Sequence, residues 1–180
     1  DQILWWTDEL YPRHVYSTGG RFIRQDNTDA PDTQFVTYEF EDFTATWEHR
    51  QYAHNHAEKA NIGCYFYGTE GTFHMGWLDG WTFYPTDKNK PILHEDPQLD
   101  QPDQQNIRPL WLDFVNAIET GRRPVCDIEI GHRSTNMSLL GMLSMKLGRS
   151  IAWDGAREIV PDDSEANALL DRPSRTPWIY

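Results

Sequence analysis

Cysteine is scarce in this sequence, with only Cys64 and Cys126 among 180 residues. Two cysteines do not build a disulfide framework, and neither belongs to a Cys-x-x-Cys pair. A chain of this length buries enough surface to form a core without covalent cross-links. Reduced thiols are therefore the default expectation. We predict a cytoplasmic protein, and export through a signal that would precede residue 1 stays open as the alternative.

Positive charge and long apolar runs are also in short supply. The chain has 16 Lys and Arg residues against 28 Asp and Glu residues, which gives a formal net charge of −12. This balance argues against nucleic-acid backbones and anionic membrane surfaces, both of which attract clustered cations. Apolar runs such as Ile3 to Trp6 are far shorter than the ~20 residues of a membrane span. We therefore expect neither a nucleic-acid partner nor a membrane.

Glycine-rich phosphate motifs are missing as well. The sequence contains no Gly-x-Gly-x-x-Gly, no Gly-x-Ser-x-Gly and no phosphate-binding loop. Gly19-Gly20 form a bend within a predicted strand, Gly68 and Gly71 form a turn between two predicted strands, and neither pair is followed by a helix. The sequence therefore predicts no nucleotide-binding site within residues 1–180.

Aromatic residues, in contrast, are abundant, with 8 Trp, 8 Tyr and 8 Phe. Such a composition favours strands with packed faces and also suits sugar recognition. Trp47, Tyr52, Trp77 and Trp81 can stack on sugar rings, although packing in a core or an interface is the commoner role of aromatics at strand spacing.

The hydrophobic pattern predicts strands in the first half of the chain and helices in the second half. Strands are predicted at Arg13–Gln25 (with a bend at Gly19-Gly20), Thr33–Phe40, Phe43–Arg50, Ile62–Tyr67, Thr72–Trp77, Trp81–Tyr84 and Ile151–Trp153. Helices are predicted at Asp1–Thr7, Ile107–Glu119, His132–Leu147 and Asp162–Leu170, and Pro85–Gln105 is predicted to be a surface loop. This order indicates one α+β domain over residues 1–180, an open and mostly antiparallel sheet with helices packed on one face. We expect another subunit or domain to cover the second face.

Two segments have the composition of metal sites but lack the required ligands. His49, His54 and His56 lie close together, yet no nearby carboxylate or cysteine completes a zinc site. The acidic loop 26–32 has Pro31 where a calcium loop needs glycine, and no glutamate at its twelfth position. It is better explained as a turn whose Asp side chains cap their own backbone. No metal site is predicted.

Several short motifs, taken in order, resemble the C-terminal domain of the glucose-fructose oxidoreductase/inositol dehydrogenase/rhizopine catabolism (Gfo/Idh/MocA) family. They are Asp1 to Trp6 with Tyr11-Pro12, Gly19 to Phe22, Ala30 to Gln34, Trp47 to Arg50, Tyr67 to Thr72, Gly131 to Ser134, Leu147 to Asp154 and Glu165 to Asn167. The resemblance covers essentially the whole chain, and its specificity lies in the order and spacing of the motifs.

This resemblance implies an N-terminal Rossmann domain that binds NAD or NADP, followed by an α/β domain whose open sheet shapes the substrate pocket and commonly joins subunits. It also implies reversible hydride transfer between nicotinamide and a sugar or cyclitol hydroxyl, with proton transfer by a lysine and an Asp-x-x-x-His pair. Some members of the family act as hydratases or glycosidases through transient oxidation, and that alternative stays open.

The sequence departs from the family pattern at its start. Asp1 matches an aspartate that commonly follows the catalytic histidine by three residues, so that histidine would stand three positions before the chain begins. We therefore expect a fragment or a processed product that lacks the upstream dinucleotide-binding domain. On this expectation the isolated chain contains no catalytic residue, binds neither NAD nor NADP and has no dehydrogenase activity.

What remains is the substrate side of the site, for which we predict Arg21, Arg24, Trp47, Arg50, His54 and His132. Arginine and histidine can bind hydroxyl or carboxylate groups, and tryptophan can stack on a ring. Ion pairs with the many carboxylates and ordinary packing are equally consistent with these residues. A free-standing carbohydrate-binding module or a dimerisation module is the alternative to an enzyme domain, and the sugar, the choice of NAD or NADP and the oligomeric state stay open.

Overall fold

The computed structural model describes residues 1–52, 62–171 and 174–177, without the side chains of 102 and 103. The helices are α1 (Gln2–Thr7), α2 (Pro102–Thr120), α3 (Ile128–Leu147) and α4 (Ser164–Asn167). The strands are β1 (His14–Gly20), β2 (Thr33–Glu39), β3 (Thr44–Arg50), β4 (Gly63–Tyr67), β5 (Gly71–Gly76), β6 (Trp81–Pro85), β7 (Leu93–Glu95) and β8 (Ile151–Ala152). The predicted α+β class is confirmed. The chain divides into two compact units, one of residues 1–53 with 128–180 and one of residues 54–127.

The first unit is built on an antiparallel sheet with the strand order β3-β2-β1-β8. The predicted hairpin of β2 and β3 is confirmed, and its register places Val36 opposite Trp47 and Tyr38 opposite Ala45. Side chains alternate between the two faces of a strand. Val15 on β1 and Val36 and Tyr38 on β2 therefore share one face, where all three are buried.

Helix α3 packs on this face of the sheet and closes the core. Met137, Leu140 and Leu143 are buried in the same cluster as the strand residues. The Tyr38 hydroxyl donates a hydrogen bond to the carbonyl of Met137 at 2.9 Å, and burial raises the pKa of Tyr38 to about 12. On the next turns, the Ser144 hydroxyl accepts a hydrogen bond from the backbone N–H of Ser17 at 2.9 Å.

The opposite face of this sheet carries aromatic side chains that stay accessible. Tyr16 is 49% exposed and Phe35 is 42% exposed. They lie on the same face because Thr18, two residues after Tyr16, pairs with Phe35. Helix α3 thus covers only one face of this sheet, as the sequence predicts for its helices.

The second unit contains the antiparallel sheet β4-β5-β6-β7 and helix α2. The predicted hairpin of β4 and β5 is confirmed, and it places His74 opposite Tyr65, with their rings stacked at 4.3 Å. Apolar side chains along α2 are largely exposed. These are Ile107, Leu110, Trp111, Phe114, Val115 and Ile118.

Some elements differ from their predicted bounds. The extended segment predicted at 13–25 ends as a strand at Gly20, because the backbone N–H groups of the next residues turn towards Asp32. The predicted loop 85–105 contains β7 and the start of α2. Three residues are too few to show strand alternation, and Pro102 begins the helix, a position that proline tolerates. The strands form two four-stranded sheets, where one sheet was expected.

In the parts of the chain that the structure describes, no helix is both long enough and apolar enough to cross a membrane.

Candidate substrate-binding site

One loop and one chain segment of the first unit lie at the same end of its sheet. The register places Gly20, the last residue of β1, opposite Thr33, the first residue of β2, and Thr33 opposite Arg50, the last residue of β3. The loop 21–32 and the segment that follows Arg50 therefore lie at the same sheet end. Gly19 permits this arrangement, because a Cβ atom there would overlap the carbonyl oxygen of Thr33.

Asp32 organises the loop. Its side chain is 1% exposed, and its carboxylate accepts hydrogen bonds from the backbone N–H groups of Phe22 (3.1 Å), Ile23 (2.8 Å) and Arg24 (2.8 Å). The Thr33 hydroxyl donates a further bond at 2.9 Å. These donors, the N–H of Arg24 foremost, hold the pKa of Asp32 well below its ordinary value against the opposing effect of desolvation. Asp32 is therefore ionised at neutral pH and fixes the backbone of the arginine-bearing loop.

Arg21 is engaged within this loop. Its guanidinium forms an ion pair with Asp26 at 2.6 Å and donates to the carbonyl of Arg24 at 3.1 Å. Asp26 also accepts bonds from the backbone and hydroxyl of Thr28, and these bonds, together with Arg21, lower the pKa of Asp26. The loop is thus an Asp-capped turn, as its composition predicts, and Arg21 is part of its internal bonding.

Arg24 is the cation of this loop most open to a ligand. Its side chain is exposed, and the described residues offer its guanidinium no hydrogen bond or ion pair. Arg50 is less available, because its Nε lies 2.8 Å from Glu48 Oε1. Arg21, Arg24 and Arg50 thus all belong to the segments at this end of the sheet.

Two of the other three predicted residues, Trp47 and His132, do not join this group. Trp47 is opposite Val36 and so faces the α3 side of the sheet, where it is 54% exposed at the edge strand. His54 lies outside the described residues. His132 is on α3, in a pocket that includes Tyr11 and Pro12, just before β1 begins. The seven residues of β1, which span ~20 Å, separate this pocket from the arginine loop.

Two residues at these places are not predicted as site residues. The sequence marks Asp32 only as an acid of the turn-forming loop 26–32 and a member of the motif Ala30 to Gln34, and its special role arises from tertiary burial. Glu158, whose Oε1 lies 2.5 Å from His132 Nε2, is 26 positions away in sequence and carries no motif. Neither the calcium-like loop nor His49 forms part of a metal-binding group of three or more ligands among the described residues.

A sequence model of the oxidoreductase family C-terminal alpha/beta domain (GFO_IDH_MocA_C2) matches residues 91–180, which is half of the chain. The protein therefore belongs to this oxidoreductase family, and the resemblance drawn from its motifs is confirmed. No curated protein sequence matches the chain.

Solved structures of oxidoreductases have the same fold. An oxidoreductase from Agrobacterium radiobacter in complex with NAD+, L-tartaric acid and magnesium has a TM-score of 0.61 and 9% identity over 79% of this chain and 43% of its own. YvaA from Bacillus subtilis has a TM-score of 0.62 and 12% identity, over 85% of this chain and 49% of its own. The WlbA dehydrogenase from Chromobacterium violaceum, in complex with NADH and UDP-GlcNAcA, has a TM-score of 0.56 and 15% identity, over 81% of this chain and 41% of its own. The chain thus spans less than half the length of these structures.

Proposed function

We propose that this chain is the substrate-side part of an NAD(P)-dependent oxidoreductase that acts on a hydroxyl group of a sugar or cyclitol. Family membership supports an enzyme of this class, and the carrying observation is the arginine loop held in place by the buried Asp32 carboxylate. The NAD+, NADH and sugar-nucleotide ligands of two similar structures are consistent with this proposal.

The residues of this chain do not fit a dinucleotide. The sequence has no glycine-rich dinucleotide motif, and its paired glycines occur at strand ends, Gly19 and Gly20 in β1 and Gly71 in β5. We therefore place the cofactor site and the proton-transferring residues in a domain outside residues 1–180, and assign no step of hydride transfer to this chain. Asp1, the expected neighbour of a catalytic histidine, is the N-cap residue of α1.

In this proposal the chain binds and orients the substrate. Arg24 donates hydrogen bonds to substrate hydroxyl or carboxylate oxygens, and Arg50 assists from the end of β3. Because Asp32 fixes the loop before a ligand arrives, little conformational entropy is lost when the substrate binds. Arg21 acts as a positioning residue, since its bonds to Asp26 and to the Arg24 carbonyl shape the loop.

The open face of the sheet suggests a further role in assembly. Tyr16 and Phe35 form an accessible aromatic patch on an otherwise polar face with Thr37 and Thr46. We propose that a second copy of the chain covers this patch, which would make the parent enzyme a homo-oligomer.

The test is a nicotinamide reduction assay on a full-length parent protein that contains residues 1–180, with NAD and NADP and a panel of sugars and cyclitols. Arg24→Ala is expected to raise KM about 10- to 100-fold while kcat changes little, because a charge-assisted hydrogen bond contributes to binding. Arg24→Lys should restore part of the loss, and residues 1–180 alone should give no turnover.

Arg157→Ala is the matched control, since Arg157 is an exposed arginine whose only described ion pair, with Asp154, spans 3.8 Å. Absence of nicotinamide reduction across the panel would refute the proposed reaction. Equal KM values for the two alanine variants would remove Arg24 from the substrate site.

A further inference from the structure

A pocket of about 320 Å³ lies in the first unit, between the start of α3, the segment before β1 and the segment after β8. Its accessible apolar wall includes Leu10, which is 45% exposed, and the partly exposed Tyr11. Its polar wall includes His132, Asn136 and Glu158. The roles proposed above for the arginine loop do not involve this pocket.

The segment that carries Glu158 lies directly on the pocket. A Cβ atom at Gly155 would overlap the Tyr11 ring, so glycine lets the segment rest on that ring. Glu158 has a left-handed φ of 53°, which is uncommon for a residue other than glycine, and its Oε1 lies 2.5 Å from His132 Nε2. Both side chains of this pair are about half exposed, so a solute can reach them.

His132 Nε2 has two polar neighbours and can bond only one of them at a time. Besides Glu158 Oε1, Asn136 Nδ2 lies 3.1 Å from this nitrogen. With a proton, Nε2 donates to Glu158 and offers no acceptor to the Asn136 amide N–H. Without a proton, Nε2 accepts from Asn136 and turns no donor towards the Glu158 carboxylate. In this second state a further donor is needed beside Glu158.

The other charged groups of the wall do not supply that donor. Glu129 forms an ion pair with Arg133, and Tyr11, the remaining titratable residue of the wall, brings no positive charge. Among the described residues, no group of three or more His, Cys, Asp and Glu side chains could hold a metal ion. An organic cation with N–H donors is therefore the class of ligand that matches the Glu158 carboxylate.

We propose that this pocket binds a compact primary alkylamine in its ammonium form. An ammonium group has three donors and no acceptor. It donates to the Glu158 carboxylate in place of the His132 proton, while Nε2 accepts from Asn136, and the alkyl chain packs against Leu10 and Tyr11. This inference goes beyond the proposed hydride transfer, since it concerns binding by residues 1–180 alone.

The test is a titration of the 180-residue chain with n-butylamine at pH 8, followed by calorimetry and by amide chemical shifts. Salt at about 0.15 M screens the other surface carboxylates. We expect saturable binding with a Kd of about 1–10 mM and shift changes at residues 10–12, 132–136 and 155–158. n-Butanol and butyrate, with a neutral and a negative head group, should bind at least ~10-fold more weakly, because neither forms the charge-assisted bond to Glu158.

The affinity should also depend on pH, because the ammonium group and the His132 proton compete for the same carboxylate. Histidine changes its charge between pH 5 and 8. n-Butylamine should therefore bind several-fold more weakly at pH 5.5 than at pH 8. His132→Gln, which takes up no proton in this range, should bind n-butylamine with similar affinity at the two pH values.

Glu158→Gln removes the negative charge and keeps the size of the side chain. This variant should fold like the wild type and bind n-butylamine at least ~10-fold more weakly. Glu119→Gln is the matched control, because Glu119 is an exposed glutamate of the second unit that does not line the pocket. Thermal melting followed by circular dichroism should give closely similar curves for the wild type and both variants.

Four results would overturn this inference. They are no saturable binding of n-butylamine, shift changes that miss the pocket residues, equal affinities for n-butylamine and n-butanol, and equal affinities of the two glutamine variants. An affinity of the wild-type chain that stays constant from pH 5.5 to pH 8 would refute the competition with His132. None of these results would bear on nicotinamide reduction by the parent enzyme, which is measured separately.

Discussion

At the scale of single residues, a buried carboxylate decides the shape of the arginine loop. The Asp32 carboxylate accepts hydrogen bonds from the backbone N–H groups of three consecutive residues, Phe22 to Arg24. It thereby takes the place of the carbonyl acceptors that a neighbouring strand would have supplied. A buried charge is tolerated only when such bonds satisfy it. The candidate binding arginines therefore depend on a residue that itself needs no contact with a ligand.

We expect Asp32→Asn to lower the urea denaturation midpoint at pH 7, because an amide keeps fewer acceptors and brings N–H donors close to backbone N–H groups. The low folded-state pKa of Asp32 means that its contribution is present above the unfolded pKa, about 4, and is lost as pH falls through the folded value. The difference in denaturation midpoint between Asp32→Asn and the wild type should therefore narrow as the pH falls from 5 to 2.

Asp29→Asn is the control for this prediction, since Asp29 is an exposed acid of the same loop. Equal midpoints for the two asparagine variants at pH 7 would contradict the role given to Asp32. Amide hydrogen exchange at residues 22–24 offers a second readout, and it should become faster only in the Asp32 variant.

At the scale of elements, α3 contributes most of the helical side of the first unit's core. Leu140 is 3% exposed in the cluster with Val36 and Tyr38, whereas the adjacent Leu139 is 57% exposed. The two leucines therefore have the same chemistry on the same helix and differ in burial alone, which makes them a matched pair.

Leu140→Ala should lower the free energy of unfolding by about 2–5 kcal/mol, because it removes buried methyl groups and leaves a cavity. Leu139→Ala should change it by less than about 1 kcal/mol, since its side chain is mostly in water. Urea denaturation monitored by circular dichroism measures both. Similar losses in the two variants would show that α3 does not pack on the sheet through Leu140.

At the scale of the whole molecule, the uncovered face of the first unit's sheet bears on assembly. Phe35→Glu places a charge in the aromatic patch and should convert a dimer into a monomer in sedimentation velocity. Tyr67→Glu is the control, because Tyr67 is an 80% exposed aromatic residue on the other sheet. A wild-type chain that sediments as a monomer at every concentration tested would refute association through this face.

The class of the fold, the family and most of the strands can be predicted from the sequence alone. Alternation over five or more residues marks a strand whichever partner it later takes, and for this reason the β2–β3 and β4–β5 hairpins were predictable. The three-residue β7 was not, because its pairing with β6 decides its conformation. The N-terminal turn of α2 is not predicted, because Pro102 lies in a proline-rich stretch whose composition is typical of a loop.

Which of the candidate residues lie together depends on the tertiary structure. The sequence identifies Arg21, Arg24, Arg50 and His132 as candidates but does not show which of them are neighbours. Strand register brings the three arginines to one end of the sheet and leaves His132 beyond the far end of β1. The partners Asp32 and Glu158 likewise emerge only from the fold, since their roles depend on burial and on contacts across 8 to 26 positions. Hydrophobic pattern is a local property of the chain, whereas a binding site is a convergence of distant segments that packing alone specifies.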